Sequence, residues 1–69
     1  MKMSQLARDV RARRKDLGLT QVELADLAGC SPRFVRALEG GKTTVQLDKL
    51  LAVLDVLGLE LEARRRVPG

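Results

Sequence analysis

The sequence predicts a mainly α-helical fold of four helices followed by one short β-strand, and three observations point there. The apolar residues are leucine, valine and alanine with a single aromatic, Phe34, a palette that suits packed helices better than sheets, which favour β-branched and aromatic side chains. Glycines at 18, 29, 40, 41 and 58 cut the chain into pieces of helical length that open on capping residues. Apolar positions keep a helical period up to Leu57 and then alternate with charged ones. With 69 residues there is room for one small domain, which buries only about 60% of the surface its unfolded chain exposes.

Ser4 is placed to cap a first helix running to about Leu17, with Leu6, Val10 and Leu17 on one stripe and Gly18 as its stop. Thr20-Gln21-Val22-Glu23 has the form of a capping box, in which the Thr20 hydroxyl takes the Glu23 amide and the Glu23 carboxylate reaches back, so a second helix starts at Gln21. Gly29 ends it one residue after Ala28. Only Cys30 separates that glycine from Ser31-Pro32, a cap followed by proline at the first helical position, where a missing N–H costs nothing. The third helix therefore runs to Glu39 and breaks at Gly40-Gly41. Thr44 is a candidate cap for a fourth helix spanning about Val45 to Leu57 and ending at Gly58.

On that fourth helix Leu47, Leu50, Leu51, Leu54 and Leu57 form the stripe offered to the domain's own core, while Ala52, Val53 and Val56 carry apolar surface toward the opposite side. Beyond Gly58, Leu59, Leu61 and Ala63 alternate with Glu60, Glu62 and Arg64, the period of a strand. A lone strand has no sheet to join within one chain. Val53, Val56, Leu59, Leu61 and Ala63 are accordingly the predicted dimerisation surface, and the chain divides into a helical domain over 1–58, a dimerisation strand over 59–64 and a basic tail over 65–69.

The net charge of +4 is unevenly placed. Residues 1–18 carry six basic and two acidic side chains, residues 43–63 one lysine against four acids, and Arg64, Arg65 and Arg66 follow. Basic charge gathered at the two ends points to a polyanionic partner, with nucleic acid ahead of a membrane surface. A chain with one cysteine and no histidine offers neither an internal disulfide nor a metal ligand set. No apolar run approaches the roughly 20 residues of a membrane span, and no signal-peptide core follows Met1. These features predict a cytoplasmic protein without cofactor, metal or enzymatic activity.

Gln21 to Glu39 is the informative segment. A junction of Gly29 and Cys30 is too tight for two antiparallel helices, so they must cross steeply, and a small residue is required where the backbones approach, which is Ala25. Leu24, Ala28 and Cys30 then face inward opposite Val35 and Leu38. This segment resembles the helix-turn-helix of the Xre/Cro and lambda-repressor class over Val10 to Leu57. The likeness is carried by Arg14, Gly18-Leu19-Thr20-Gln21, Glu23-Leu24-Ala25, Gly29-Cys30-Ser31, Val35 and Leu38-Glu39-Gly40-Gly41-Lys42. Leu59-Glu60-Leu61-Glu62-Ala63 further resembles the strand appended to this domain in HipB-type antitoxins. The resemblance implies a lambda-repressor-like domain, a homodimer paired through that strand, a palindromic double-stranded DNA operator and a HipA-like kinase toxin as partner.

It also implies roles for particular residues. The helix opening at Ser31-Pro32 would enter the major groove, with Arg33 and Arg36 as candidate readers of guanine; the alternative is that they face solvent or touch phosphate. Ala37 is either a contact for a thymine methyl or a small spacer. Phe34, where relatives carry a small polar residue, either packs on the domain edge or points to DNA. Gln21, Ser31, Lys42 and Thr43 are placed to clamp phosphate, with plain capping as the other reading of Gln21 and Ser31. Arg14 and Glu39 form a structural ion pair in the resembling family. Arg8, Arg11, Arg13 and Lys15 make helix one a cationic face suited to displacing DNA counterions.

Gly41-Lys42-Thr43 looks like the end of a phosphate-binding loop, but Arg36 stands where the first glycine is required and no strand precedes it. Cys30 has no histidine to activate it and reads as a packed small side chain. The sequence thus reads as a DNA-binding repressor, in the narrower form an antitoxin and autorepressor. A stand-alone repressor and a protein-interaction module with incidental DNA affinity are the alternatives.

Overall fold

The four segments become α1 (Met3–Asp16), α2 (Gln21–Ala28), α3 (Pro32–Glu39) and α4 (Leu47–Leu57) in a computed structural model that describes residues 2–63 and 65. All four are stopped by the same backbone device. At the end of α2, Gly29 adopts φ 72° and ψ 31°, so that the Cys30 N–H reaches the Ala25 carbonyl at 3.0 Å and the Gly29 N–H reaches Asp26 at 3.3 Å. These two bonds satisfy carbonyls that the helix itself leaves unpaired, and the left-handed turn is one that a Cβ would strain. Gly18-Leu19, Gly41-Lys42 and Gly58-Leu59 close α1, α3 and α4 with the same pair of bonds.

The starts of the helices follow the sequence less evenly. Thr20 and Glu23 form the expected capping box, with the Glu23 N–H on Thr20 Oγ1 at 3.0 Å and the Thr20 N–H on Glu23 Oε1 at 2.9 Å. Ser31 Oγ accepts from the Phe34 N–H at 3.1 Å, with Pro32 in the first turn. Ser4, in contrast, is not a cap: α1 begins at Met3, which packs on the core, and the Lys2 carbonyl takes the Gln5 and Leu6 amides. Nor does Thr44 cap α4. Val45 lies against the core before the helix begins, and the N-cap is Gln46, which makes no side-chain cap bond.

Leu6 and Val10 of α1, Leu24 and Ala25 of α2, Val35 and Leu38 of α3, and Leu50, Val53, Leu54 and Leu57 of α4 form one core. α2 packs against α3 and α4, and α1 packs against the same two helices. Three expected positions differ on α4. Val53 is completely buried in the chain's own core and presents nothing to a second copy, whereas Leu47 and Leu51 are 58% and 46% exposed. The helix is apolar on so many positions that its spacing fits two phases, and packing takes the one centred on Leu50, Val53, Leu54 and Leu57. Leu17 is likewise exposed, because it stands at the C-cap, past the packed length of α1.

The expected strand does not form: residues 59–63 take no regular structure, and Arg64 and residues 66–69 of the expected strand end and tail lie outside the described residues. Strand geometry is held by a ladder of hydrogen bonds to a neighbour, and a single chain supplies none here. The Leu59 amide is spent on the Leu54 carbonyl and its side chain, with that of Val56, packs against the domain's core. Leu61 and Ala63 remain exposed. No helix among the described residues is long and apolar enough to cross a membrane.

The capping box has a pH signature. Its hydrogen bonds from the Thr20 backbone and side chain hold the Glu23 carboxyl below its ordinary pKa. A lowered folded pKa gives stability that is full above the unfolded value and is lost as pH falls through the folded one. The melting-temperature gap between wild type and Glu23→Ala should therefore be open at neutral pH and close below the ordinary glutamate range. A gap that stayed constant into acid would contradict the box. Thr20→Ala should cost about 1 kcal/mol in urea titrations.

Candidate nucleic-acid interface

α3 is set on α2 by the tight turn at Gly29-Cys30. Ala25, in the middle of α2, is fully buried together with Leu24, Val35 and Leu38, which is what a close crossing of two backbones requires. With Val35 and Leu38 inward, the outward direction of α3 follows from about 100° per residue. Arg33 falls within about 10° of it, while Arg36 and Ala37 lie about 50° to either side. The outward face of α3 is thus a short ridge with one arginine at its crest.

Arg14 locks this ridge to the rest of the domain. Its Nε and Nη2 donate to Glu39 Oε2 and Oε1 at 2.7 and 3.0 Å, and its Nη1 donates to the Leu19 carbonyl at 2.8 Å. One planar guanidinium therefore ties the end of α1, the approach to α2 and the last residue of α3, in the two-pronged geometry that suits arginine and carboxylate. The pair is nearly buried, with side-chain exposures of 11% and 5%. The hydrogen bond that Arg14 donates to Glu39 raises the arginine's pKa further above its ordinary value. Gln21 Nε2 adds a third donor to Glu39 Oε1 at 3.2 Å.

Two clefts flank the ridge. On one side Arg36 meets Arg11, Arg14, Gln21, Glu39 and Gly40; on the other, Arg33, Phe34 and Ala37 of α3 meet Ser31, Lys42, Thr44, Gln46 and Lys49. Of the residues singled out in the sequence, Gln21, Ser31, Arg33, Phe34, Arg36, Ala37 and Lys42 all line one cleft or the other. Thr43 is exposed beside Lys42 and lines neither. Phe34 is half-buried, packed against the core with its remaining surface in the second cleft. Arg11, Arg33, Arg36, Lys42 and Lys49 have no ion-pair partner among the described residues.

The family model described as helix-turn-helix matches residues 10–63, which contain both clefts and the Arg14–Glu39 pair. The chain belongs to this helix-turn-helix family. It is also 47% identical over 53 residues to the uncharacterized HTH-type transcriptional regulator y4mF of Sinorhizobium fredii, a match covering 77% of this chain and 70% of the relative. The Xre/Cro-type family read over Val10 to Leu57 is therefore the right one.

Three residues of this helix-turn-helix domain were not legible as they stand. Lys49 and Gln46 join the second cleft from the start of α4, across a connection whose path no spacing rule gives. Arg13, grouped in the sequence with a cationic DNA face, sits elsewhere: its Nε donates to the Leu57 carbonyl at 2.9 Å, holding the end of α4. Helical phase could have shown this, since Arg8, Arg11 and Lys15 share one flank of α1, while Arg13 shares the other with Asp9 and Asp16 beside Leu54 and Glu60. Cys30 is part-buried, and burial pushes its thiol above the ordinary range against the opposing pull of Lys49. It stays protonated at neutral pH and is no nucleophile.

Removing one member of the Arg14–Glu39 pair strands the other as a nearly buried charge. Arg14→Ala should cost about 3–5 kcal/mol in urea denaturation. Replacing both, as Arg14→Met with Glu39→Leu, should cost less than either single change. Equal and additive losses of under about 1 kcal/mol would mean the pair behaves as an exposed one.

Proposed function

We propose that this chain is a sequence-specific DNA-binding transcriptional repressor without a catalytic role. The observation that carries the reading is the exposed α3 ridge between two cation-bearing clefts. A major groove about 12 Å wide admits a helix of about 10–12 Å diameter, and the phosphate strands bordering it would then lie over the clefts. Arg33 at the crest is suited to guanine O6 and N7, and the Ala37 methyl to a thymine methyl. Gln21, Ser31 and Lys42 line those clefts, with Thr43 exposed beside Lys42, and α2 and α3 would present N-terminal amides to the phosphates. The transcriptional-regulator name of the relative supports the same reading.

In this proposal two copies act as a homodimer on a palindromic operator in the cytoplasm, with half-sites about 34 Å apart. The exposed Leu61, and Leu47 and Leu51 on α4, are the apolar surface in favour of a second copy. The narrower role, antitoxin and autorepressor with a HipA-type kinase as partner, is supported by the resemblance of Leu59-Glu60-Leu61-Glu62-Ala63 to HipB-type proteins. Co-purification with a kinase encoded beside this chain tests that role.

Selection from a random duplex library should return a two-fold motif with wild type, and Arg33→Ala should relax preference at one or two positions. Gln21→Ala should weaken all sequences about equally. Affinity for the selected site should fall by about 10³–10⁵ between about 50 and 200 mM salt if roughly 6–10 phosphates are contacted. A flat salt response, or no selected motif, would remove the reading.

A further inference from the structure

We infer that Arg36 is a phosphate clamp, acting with Arg11, and that reading bases from α3 falls to the Arg33 side of the ridge. The inference rests on the proposed DNA-binding function and assigns a role within it. Two arginines three residues apart on a recognition helix look equivalent in sequence. The structure separates them, because Arg33 stands on the crest and Arg36 turns about 50° toward Gln21 and Glu39.

The cleft that Arg36 enters is built for an anion. Its volume is about 480 Å³, and three arginines, Arg11, Arg14 and Arg36, line it with a single carboxylate, that of Glu39. Arg14 and Glu39 neutralise each other through their paired hydrogen bonds, which leaves Arg11 and Arg36 as two exposed charges without partners among the described residues. Gln21 adds one amide N–H to Glu39 Oε1, so both oxygens of that carboxylate are engaged within the Arg14–Glu39–Gln21 cluster. Arg11 comes from α1 and Arg36 from α3, so an oxyanion between them is gripped from two elements held in register by the Arg14–Glu39 pair. A phosphodiester fits that demand. A base edge does not, since base reading falls to the side of the ridge that carries Arg33 and Ala37, away from this cleft.

The test compares Arg36→Ala, Arg36→Lys and Arg33→Lys with wild type by random-library selection and by the salt dependence of binding. Arg36→Ala should keep the selected motif, weaken all sequences by the same factor and lower the magnitude of the log–log salt slope by about 0.9. Arg36→Lys should restore the slope and keep the motif, because a phosphate accepts a point charge; Arg33→Lys should lose preference at its base pair, because lysine lacks the two-pronged donor. Arg11→Ala combined with Arg36→Ala should lower the slope by about one contact, as for a shared phosphate. A changed motif or an unchanged slope in Arg36→Ala overturns the assignment. If wild type itself selects no motif, the function fails and not merely this assignment.

Discussion

Everything on the proposed DNA-facing side of this domain depends on one guanidinium. Arg14 spends its nitrogens on both oxygens of Glu39 and on the Leu19 carbonyl, and thereby joins α1, the start of α2 and the end of α3. A nearly buried pair of this kind contributes little net stability, because desolvating two charges offsets most of their attraction. What it supplies is register: the hydrogen bonds are satisfied only when α3 sits at one height and one rotation against α1. No buried side-chain polar atom among the described residues is left without a partner. The pair is therefore closed, and the free cations are those outside it.

From that constraint the surface follows. The tight turn at Gly29 and the fully buried Ala25 bring α3 close across α2, and the caps at Thr20 and Ser31 leave both helix N-termini facing the same way as the free cations. α1 sorts its own charges: Arg11 joins the cleft beside Arg36, while Asp9 and Asp16 lie on the other flank with Leu54 and Glu60. The domain is thus electrically two-sided, which would orient it as it approaches a polyanion.

Much of this was legible in the sequence because it rests on local backbone chemistry. Thr20 with Glu23, Ser31 with Pro32, and the glycines at 18, 29, 41 and 58 act within a few residues of themselves, and they bound α2 and α3 as read. Phase and partnership were less legible. On α4 an excess of apolar residues allowed two registers, and only the packing of Val53 inward and of Leu47 and Leu51 outward distinguishes them. Residues 59–63 carry a strand's alternation, yet no ladder exists in one chain to hold it. Arg13 looked like its cationic neighbours until its position on the other flank of α1 placed it against the Leu57 carbonyl. The contribution of Lys49 depends on the path of the loop before α4, which composition does not specify.

In the proposed function one preassembled face, made by α1's basic flank, the start of α2, α3 and the start of α4, meets the duplex. Amide chemical shifts of isotope-labelled protein, titrated with a random-sequence duplex at low salt, test it most directly. The account expects the largest changes at Arg11, Gln21, Ser31, Arg33, Arg36, Gly40, Lys42 and Lys49, with Asp9, Asp16, Leu54 and Glu60 unmoved. Changes centred on Leu54 and Glu60, with the α3 ridge unmoved, would contradict it.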